Sequence, residues 1–489
     1  MNITNKNKLW ITIAIFIATF MNGIEGTIVT TAMPTIVGSL EGMSIMNWVF
    51  AIYLLTGAMM TPIFSKLADM IGRRPVFLTS VTIFILGSAL SGLSSSMVQL
   101  IIFRAIQGVG AGGILPISLT LIADLYDQKQ RSKLLGLNSA TWGIASIVGP
   151  LGGGMIVETF SWHWIFYINV PVGIAVILLL LANLKENVRP HQKLKLDLLG
   201  SGVLMLLLLS FLLAVQFFGT ETFSLRVVCL LALSMICLVA FIFIEKSAED
   251  PVIPLSLFKN PLFTLVNCSA LLIAGVLIVV DVYIPMWLQG INGESAMIGG
   301  LVLAPLAFAW MFGSNIAGNL LEKWSTKNVL ALGNTIILLC FVAFTLFGEN
   351  AGKWHFLPVS MASGLGFGIS FTTFTVVSQT SVAKGDIGVA TGFSTLVRTL
   401  GQTILIAIFG VVLNAKIANN LPKDSAISLE DMNQLINPHT AGNLPKASML
   451  ALRSILQGGI HFIFLISLVL LLVVYLVILP MREGKRKTE

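Results

Sequence analysis

Charge is what this sequence has least of. Of 489 residues, 10% are Asp, Glu, Lys or Arg and 56% are hydrophobic, whereas a water-soluble chain carries roughly 25% charged residues. So few charges cannot cover an aqueous surface, which excludes a soluble globular protein and leaves most of the chain facing lipid or its own interior. Histidine and cysteine are scarce as well, at 5 and 4 residues. His163, His191, His355 and His439 are scattered through loops, with no Ser–His or His–Asp set at a membrane face, so the chain does not read as an enzyme. Cys229, Cys237, Cys268 and Cys340 lie inside apolar runs without metal-ligand spacing and read as small core residues, with no metal or cofactor implied. No nucleotide-binding loop is present either. The glycines from Gly108 to Gly113 sit inside an apolar helix and follow no strand, so ATP is not the direct energy source. The formal charge of +7 does not imply a nucleic-acid partner, because the basic residues are spread over short loops rather than gathered in a patch.

What is present is long apolar runs. A spanning helix needs about 20 such residues, and runs of that kind fall near 10–33, 47–68, 75–94, 98–123, 132–157, 163–183, 198–217, 226–244, 262–289, 295–320, 328–347, 355–381, 388–415 and 453–480. That predicts an all-α membrane protein of fourteen spans, with both termini on one side. The first run follows Lys6 and Lys8 and continues past Ala32 without a small-residue cleavage site, unlike a removable signal peptide. The Lys and Arg residues set the orientation. Lys66, Arg73, Arg74, Lys129, Arg131, Lys133, Lys185, Arg189, Lys193, Lys195 and the Arg482–Lys487 tail share the side of the N-terminus, which is therefore cytoplasmic. The long polar stretch 416–450 then lies outside. It is a solvated loop or a lid, with Ser428 and Asp431 spaced as a capping box before a short helix. The tail after Pro480 is short for a signalling domain, which argues against a sensor.

The sequence also repeats. Ser65-Lys-Leu-Ala-Asp69-Met-Ile-Gly72-Arg-Arg74 follows span 2, and Gly318-Asn-Leu-Leu-Glu322-Lys-Trp-Ser325-Thr-Lys327 follows span 10, with acid, small residue and base at matching places. Gly108-x-Gly110-x-Gly112 in span 4 is matched by Gly364-x-Gly366-x-Gly368 in span 12. Internal repeats of this kind mark transporters. They divide the chain into a six-helix half at 1–190, two inserted helices at 191–250, and a second six-helix half at 251–489. Arg104 has Ser360 as its equivalent, so the repeat does not require the arginine.

Four motifs, taken in this order, resemble the major facilitator superfamily in its fourteen-helix drug:proton antiporter branch. They are Glu25-Gly-Thr27-Ile28-Val29-x-x-Ala32-x-Pro34, Ser65 to Arg74, Arg104-Ala-Ile-Gln107-Gly108-x-Gly110, and Gly143-x5-Gly149-Pro150-x-x-Gly153. The string from Trp162 through Asn169 to Pro171 is also typical of that branch. Glu25 stands where the branch has Asp, and Ser65 where it has Gly. The resemblance covers essentially the whole chain. It implies a monomeric multidrug exporter in the cell membrane of a bacterium, driven by an ion gradient, H+ before Na+, and needing no cofactor. It also implies that Asp69, Gly72, Arg73 and Arg74 gate the cytoplasmic side, with Asp69 near Ile387 to Ala390. The glycines and Pro150 stand by themselves as packing devices: small residues let helices approach, and proline removes a backbone hydrogen bond.

Of the 22 acidic residues, only Glu25 and Asp281 lie well inside spans. A charge at mid-bilayer costs at least about 2.5–3.5 kcal/mol and marks a functional site by default. Glu25, Asp281 and Arg104 fall at similar depth, reckoned at about 1.5 Å per residue, and helices 1, 4 and 9 line the cavity in the resembled fold. Burial favours a neutral carboxyl, whereas a nearby arginine favours the charged one. A group balanced between the two can exchange a proton for a cation. Glu25, Asp281 and Arg104 are thus the candidate coupling set, and Glu25 and Asp281 are expected to line one central cavity from opposite halves, with Asn22, Tyr53, Trp142, Trp287, Trp310 and Phe371 as further candidate cavity walls, since binding sites combine apolar surfaces with a few polar groups. Arg398 either faces the cavity or pairs with groups at the cytoplasmic face, and His461 reads as an interior histidine. The function expected is export of amphipathic, often cationic, compounds by proton antiport. Sodium coupling, or export of one endogenous metabolite or lipid, is the alternative.

Overall fold

The computed structural model describes residues 5–126, 128–184, 197–221, 224–248, 251, 255–382, 387–421, 429–437 and 440–481. Among them the only regular secondary structure is helical: α1 (Asn5–Leu40), α2 (Asn47–Ile71), α3 (Arg73–Gly92), α4 (Met97–Leu125), α5 (Gln128–Thr159), α6 (Trp164–Tyr167), α7 (Asn169–Asn183), α8 (Leu198–Glu221), α9 (Leu225–Ser247), α10 (Pro261–Met286), α11 (Ala296–Lys323), α12 (Thr326–Leu346), α13 (Lys353–Thr380), α14 (Ile387–Asn420), α15 (Leu429–Ile436) and α16 (Lys446–Ile478). Helices are what a bilayer permits, because each satisfies its own backbone where no water can. Polar side chains follow the same rule. Thr56 Oγ1 donates to the Ile52 carbonyl at 2.8 Å, Ser80 Oγ to Val76 at 2.9 Å and Thr373 Oγ1 to Ile369 at 2.7 Å, each four residues back along its own helix. Helix starts are capped where they meet loops: Ser96 Oγ accepts from Gln99 N, Ser325 Oγ from Asn328 N, and Asn260 Oδ1 from Leu262 N ahead of Pro261.

Twelve helices among the described residues are long and apolar enough to cross a membrane, and Leu199–Val215 is a shorter apolar helix. Outward faces carry large apolar side chains, as in α9, where Met235, Ile236 and Phe243 are mostly exposed. On a membrane protein such faces meet lipid. The same fact corrects the reading of the cysteines: Cys237 and Cys340 are buried, but Cys229 and Cys268 are exposed. An apolar run does not tell a lipid-facing position from a core one.

The chain divides into two compact units, one of 1–214 with 225–252, the other of 215–224 with 253–489. In the first, α4 packs on α2 and α3, and α1 on α5 and α7. The α4 glycines explain the closeness. A Cβ at Gly108 would meet the Tyr53 carbonyl at 2.4 Å, at Gly112 the Gly57 carbonyl at 2.5 Å, and at Gly110 the Phe84 amide at 2.3 Å. In the second unit α13 packs on α11 and α12 by the same device. Gly364 and Gly368 lie against the carbonyls of Leu306 and Trp310, each 2.2 Å from a built Cβ, and Gly366 against that of Gly333 at 2.8 Å. There α10 packs on α14 and α16. At the C-terminal end of α10 the helix widens into an i→i+5 turn over Trp287–Ile291, closed by Gly293 at φ 69°.

Candidate functional site

In the first unit, side chains of α4 and α7 converge on one carboxylate of α1. Glu25 of α1 is fully buried, and its Oε1 takes an ion pair from Arg104 Nη1 of α4, itself 1% exposed. The other oxygen, Oε2, accepts from Asn169 Nδ2 of α7 at 2.7 Å. Asn169 also donates to Ser88 Oγ of α3 at 3.0 Å, and Ser88 donates to the Phe166 carbonyl at 2.9 Å. Arg104 is held from three further directions. Its Nη1 donates to Gln107 Oε1 at 2.8 Å, one turn along α4, and its Nε to the Val49 carbonyl of α2 at 3.3 Å. Its guanidinium lies 4.0 Å from the centroid of the Tyr53 ring, a cation–π geometry. Tyr53 in turn donates from Oη to Asn22 Oδ1 at 3.0 Å. The glycine at 108 lets α2 come this close, because the Tyr53 backbone occupies the space a side chain there would need.

Thus the structure brings together Asn22, Glu25, Tyr53 and Arg104. Three residues of the same network, Gln107, Asn169 and Ser88, were not among the sequence candidates. Gln107 and Asn169 were visible only as members of motif strings. Nothing in the sequence singles out Ser88, since its role depends on where Asn169 lands. Chemically, the arrangement is a neutral ion pair whose two carboxylate oxygens are both occupied. Protonation of the carboxyl leaves the arginine charge unopposed, so a proton there changes the balance of the whole cluster.

The motif after α2 forms the turn into α3. Gly72 takes φ 102°, a conformation side-chain-bearing residues rarely adopt. Arg73 forms an ion pair with Asp124 of α4 at 3.0 Å and donates to the Ala68 carbonyl at 3.3 Å, while Arg74 Nη2 donates to the Leu181 carbonyl at 3.2 Å. These bonds tie the ends of α2, α3, α4 and α7 together. The side chain of Asp69, and with it the expected neighbourhood of Ile387 to Ala390, lies outside the described residues, as do the side chain of Trp142 and the capping residue Ser428. Gly149 and Pro150 are buried within α5, and a Cβ at Gly149 would meet Thr27 Oγ1 at 2.0 Å. The α1 signature and the α5 signature are therefore one helix contact.

In the second unit, Asp281 is half-buried in α10, between the buried Val280 and Val282, and has no ion pair or hydrogen bond among the described residues. Trp287 is enclosed rather than cavity-facing: its ring packs with those of Phe356, His461 and Phe464, and its Nε1 donates to the Ala351 carbonyl at 3.2 Å. An indole needs a partner for its N–H when buried, and the loop between α12 and α13 supplies it. Trp310 and Phe371 stand 4.8 Å apart, centroid to centroid, and line an open cleft of ≈ 290 Å³ with Thr372, Thr375, Val376 and Arg398.

Residues 15–405 match the Major Facilitator Superfamily. The chain is 36% identical over 419 residues to the multidrug transporter protein MdtP of Bacillus subtilis, covering 85% of this chain and 77% of that one. It is 30% identical over 493 residues to multidrug resistance protein 3 of the same bacterium, covering 98% and 96%. Its fold is similar to that of a bacterial homolog of the human lysosomal transporter Spinster, with a TM-score of 0.70 at 17% identity over 97% of both chains.

Proposed function

The chain belongs to the Major Facilitator Superfamily, and from that premise we propose that it is a secondary active multidrug exporter that moves amphipathic, often cationic, compounds outward in exchange for protons by alternating access. The observation that carries the reading is the sealed Glu25–Arg104 pair, a carboxylate inside a span that one proton would change from neutral to net positive. The names of the two Bacillus subtilis relatives support the substrate class. Glu25 is the coupling carboxyl, Arg104 its counter-ion, and Asp281 the group that meets the positive charge of the substrate. The chain crosses the membrane fourteen times, the twelve apolar helices being joined by α5, of 32 residues, and α8, of 24. Both termini are cytoplasmic, a reading supported by the Lys/Arg bias of the loops.

Inside-out vesicles with a fluorescent cation in the external medium test this directly. An imposed pH gradient should drive cation accumulation in vesicles carrying the native chain, with or without sodium, and Glu25→Gln should abolish it while the protein still reaches the membrane. Accumulation that follows a sodium gradient and ignores the pH gradient would replace protons by sodium. Accumulation of one metabolite or lipid and of no cationic dye would replace the multidrug reading.

A further inference from the structure

Two arginines lie inside apolar helices, and the fold treats them differently. Arg104 is neutralised by Glu25. Arg398 of α14 has no carboxylate within 4.0 Å among the described residues. Its Nε donates to the Ser394 carbonyl at 3.2 Å, its Nη1 to Thr375 Oγ1 at 3.4 Å and its Nη2 to Thr395 Oγ1 at 3.2 Å, all uncharged acceptors. The Phe371 ring centroid is 5.5 Å away. The acid inside the neighbouring α10 does not reach it. Leu271 of α10 packs on Gly401 of α14, and Gly275 on Leu405, so the two helices run parallel. Arg398 precedes Gly401 by three residues and Asp281 follows Leu271 by ten, which at about 1.5 Å per residue separates them by roughly 20 Å along the helix axes. An unopposed cation inside a bilayer is costly and marks a site that something else completes.

That cation lines the cleft already described, of ≈ 290 Å³, with Trp310, Phe371, Thr372, Thr375 and Val376. A guanidinium carries five N–H groups in a planar fork. Three are used, on uncharged oxygens, which leaves a donor pair for a ligand. We propose that this cleft is an anion subsite, binding a carboxylate, sulfonate or phosphate group carried on an apolar body. The anion's oxygens meet the two remaining N–H groups of Arg398 and the Thr372 hydroxyl, since the Thr375 hydroxyl already donates to the Phe371 carbonyl at 3.0 Å, and its apolar body lies against Trp310 and Phe371. The volume is at the low end for ligand pockets, which begin near 300 Å³, so the cleft holds one ring system rather than a whole drug-sized molecule. The proposal deepens the export reading, on which it rests for the cleft being a substrate subsite: it adds anionic and zwitterionic amphipaths to the cations exported.

The test is binding, without any gradient, so that its failure and that of the export mechanism are separable. Calorimetric titration of the purified full chain in a neutral detergent compares 2-naphthalenesulfonate with the uncharged 2-naphthalenemethanol. Charged hydrogen bonds of this kind are worth a factor of about ten to a hundred in affinity. Arg398→Gln should lose that factor for the sulfonate and keep its affinity for the alcohol, and Arg398→Lys should keep a preference for the anion. Thr372→Val should weaken the sulfonate alone, several-fold, and carries the test if Arg398→Gln does not fold. Phosphatidylglycerol added to the detergent separates two sources of the same chemistry. Displacement of the sulfonate assigns the site to lipid headgroups, and no displacement assigns it to soluble amphipathic anions. Equal sulfonate affinity in the native chain and in either Arg398→Gln or Thr372→Val, or parallel loss of both probes, overturns the proposal.

Discussion

Replacing Glu25 by methionine, Arg104 by methionine, and then both together should give sharply non-additive stabilities. Neither side chain reaches water, Glu25 being 0% and Arg104 1% exposed. Removing one partner of such a pair strands the other charge in a dry setting, at a cost of about 3–5 kcal/mol. Two independent losses of that size would sum to roughly 6–10 kcal/mol. The double replacement removes both charges and leaves only neutral groups to account for, chiefly the amides of Asn169 and Gln107, which lose their partners on the pair. Unsatisfied buried amides cost about 1–3 kcal/mol, so the double variant should be more stable than either single one or close to it. Unfolding in increasing SDS, followed by tryptophan fluorescence, measures all four proteins. A double variant that loses the full sum of the two single losses would refute the argument, because it would mean the two charges do not hold each other. Transport separates stability from coupling: the double variant should reach the membrane and be unable to concentrate substrate.

Three further outcomes are expected. Gly364→Ala should destabilise the chain by about 1–3 kcal/mol, the cost of overpacking, since the new methyl would sit 2.2 Å from the Leu306 carbonyl; Gly318→Ala, with nothing within 4 Å, is the matched control. Asp281→Asn should abolish efflux of cations and spare neutral compounds, measured with paired dyes in vesicles, and undiminished cation efflux would remove Asp281 from substrate recognition. In a variant whose four cysteines are replaced, Asn420→Cys at the end of α14 should react with an impermeant maleimide on intact cells, and labelling only after lysis would reverse the orientation.

Much of the fold was legible because a bilayer leaves a chain few options. Apolar runs of the required length announced the helices, and the Gly108 and Gly364 triplets announced which helices pack at backbone distance. The isolated charges Glu25 and Arg104 were legible for the same reason, since an intramembrane charge stands out against its surroundings. What could not be read was the partner on a distant helix. Asn169 is 144 residues from Glu25, and its amide becomes a ligand of the carboxylate only when α7 packs on α1. Trp287 shows the opposite failure. An aromatic residue near the end of a span fits a cavity wall and a packed core equally well by type, and only the rings of Phe356, His461 and Phe464 decide for the core. The exposure of Cys229 and Cys268 was hidden likewise, because hydropathy is blind to the difference between lipid and protein as a neighbour.

The contact at Gly368 sets how the Arg398 cleft can deform. A Cβ built there would fall 2.2 Å from the carbonyl of Trp310 itself, so α11 and α13 are clamped at the level of the cleft, and the Trp310 and Phe371 rings ride on one stiff slab. Arg398 rides on a different helix, α14, attached across the opening by a long bond to Thr375. The cleft therefore has one wall fixed by backbone contact, α11 with α13, and a second wall, α14, that meets it through the Arg398–Thr375 bond. On the proposal above, a rigid molecule that engages both the rings and the guanidinium would hold α14 to that slab, and would act as a wedge instead of cargo.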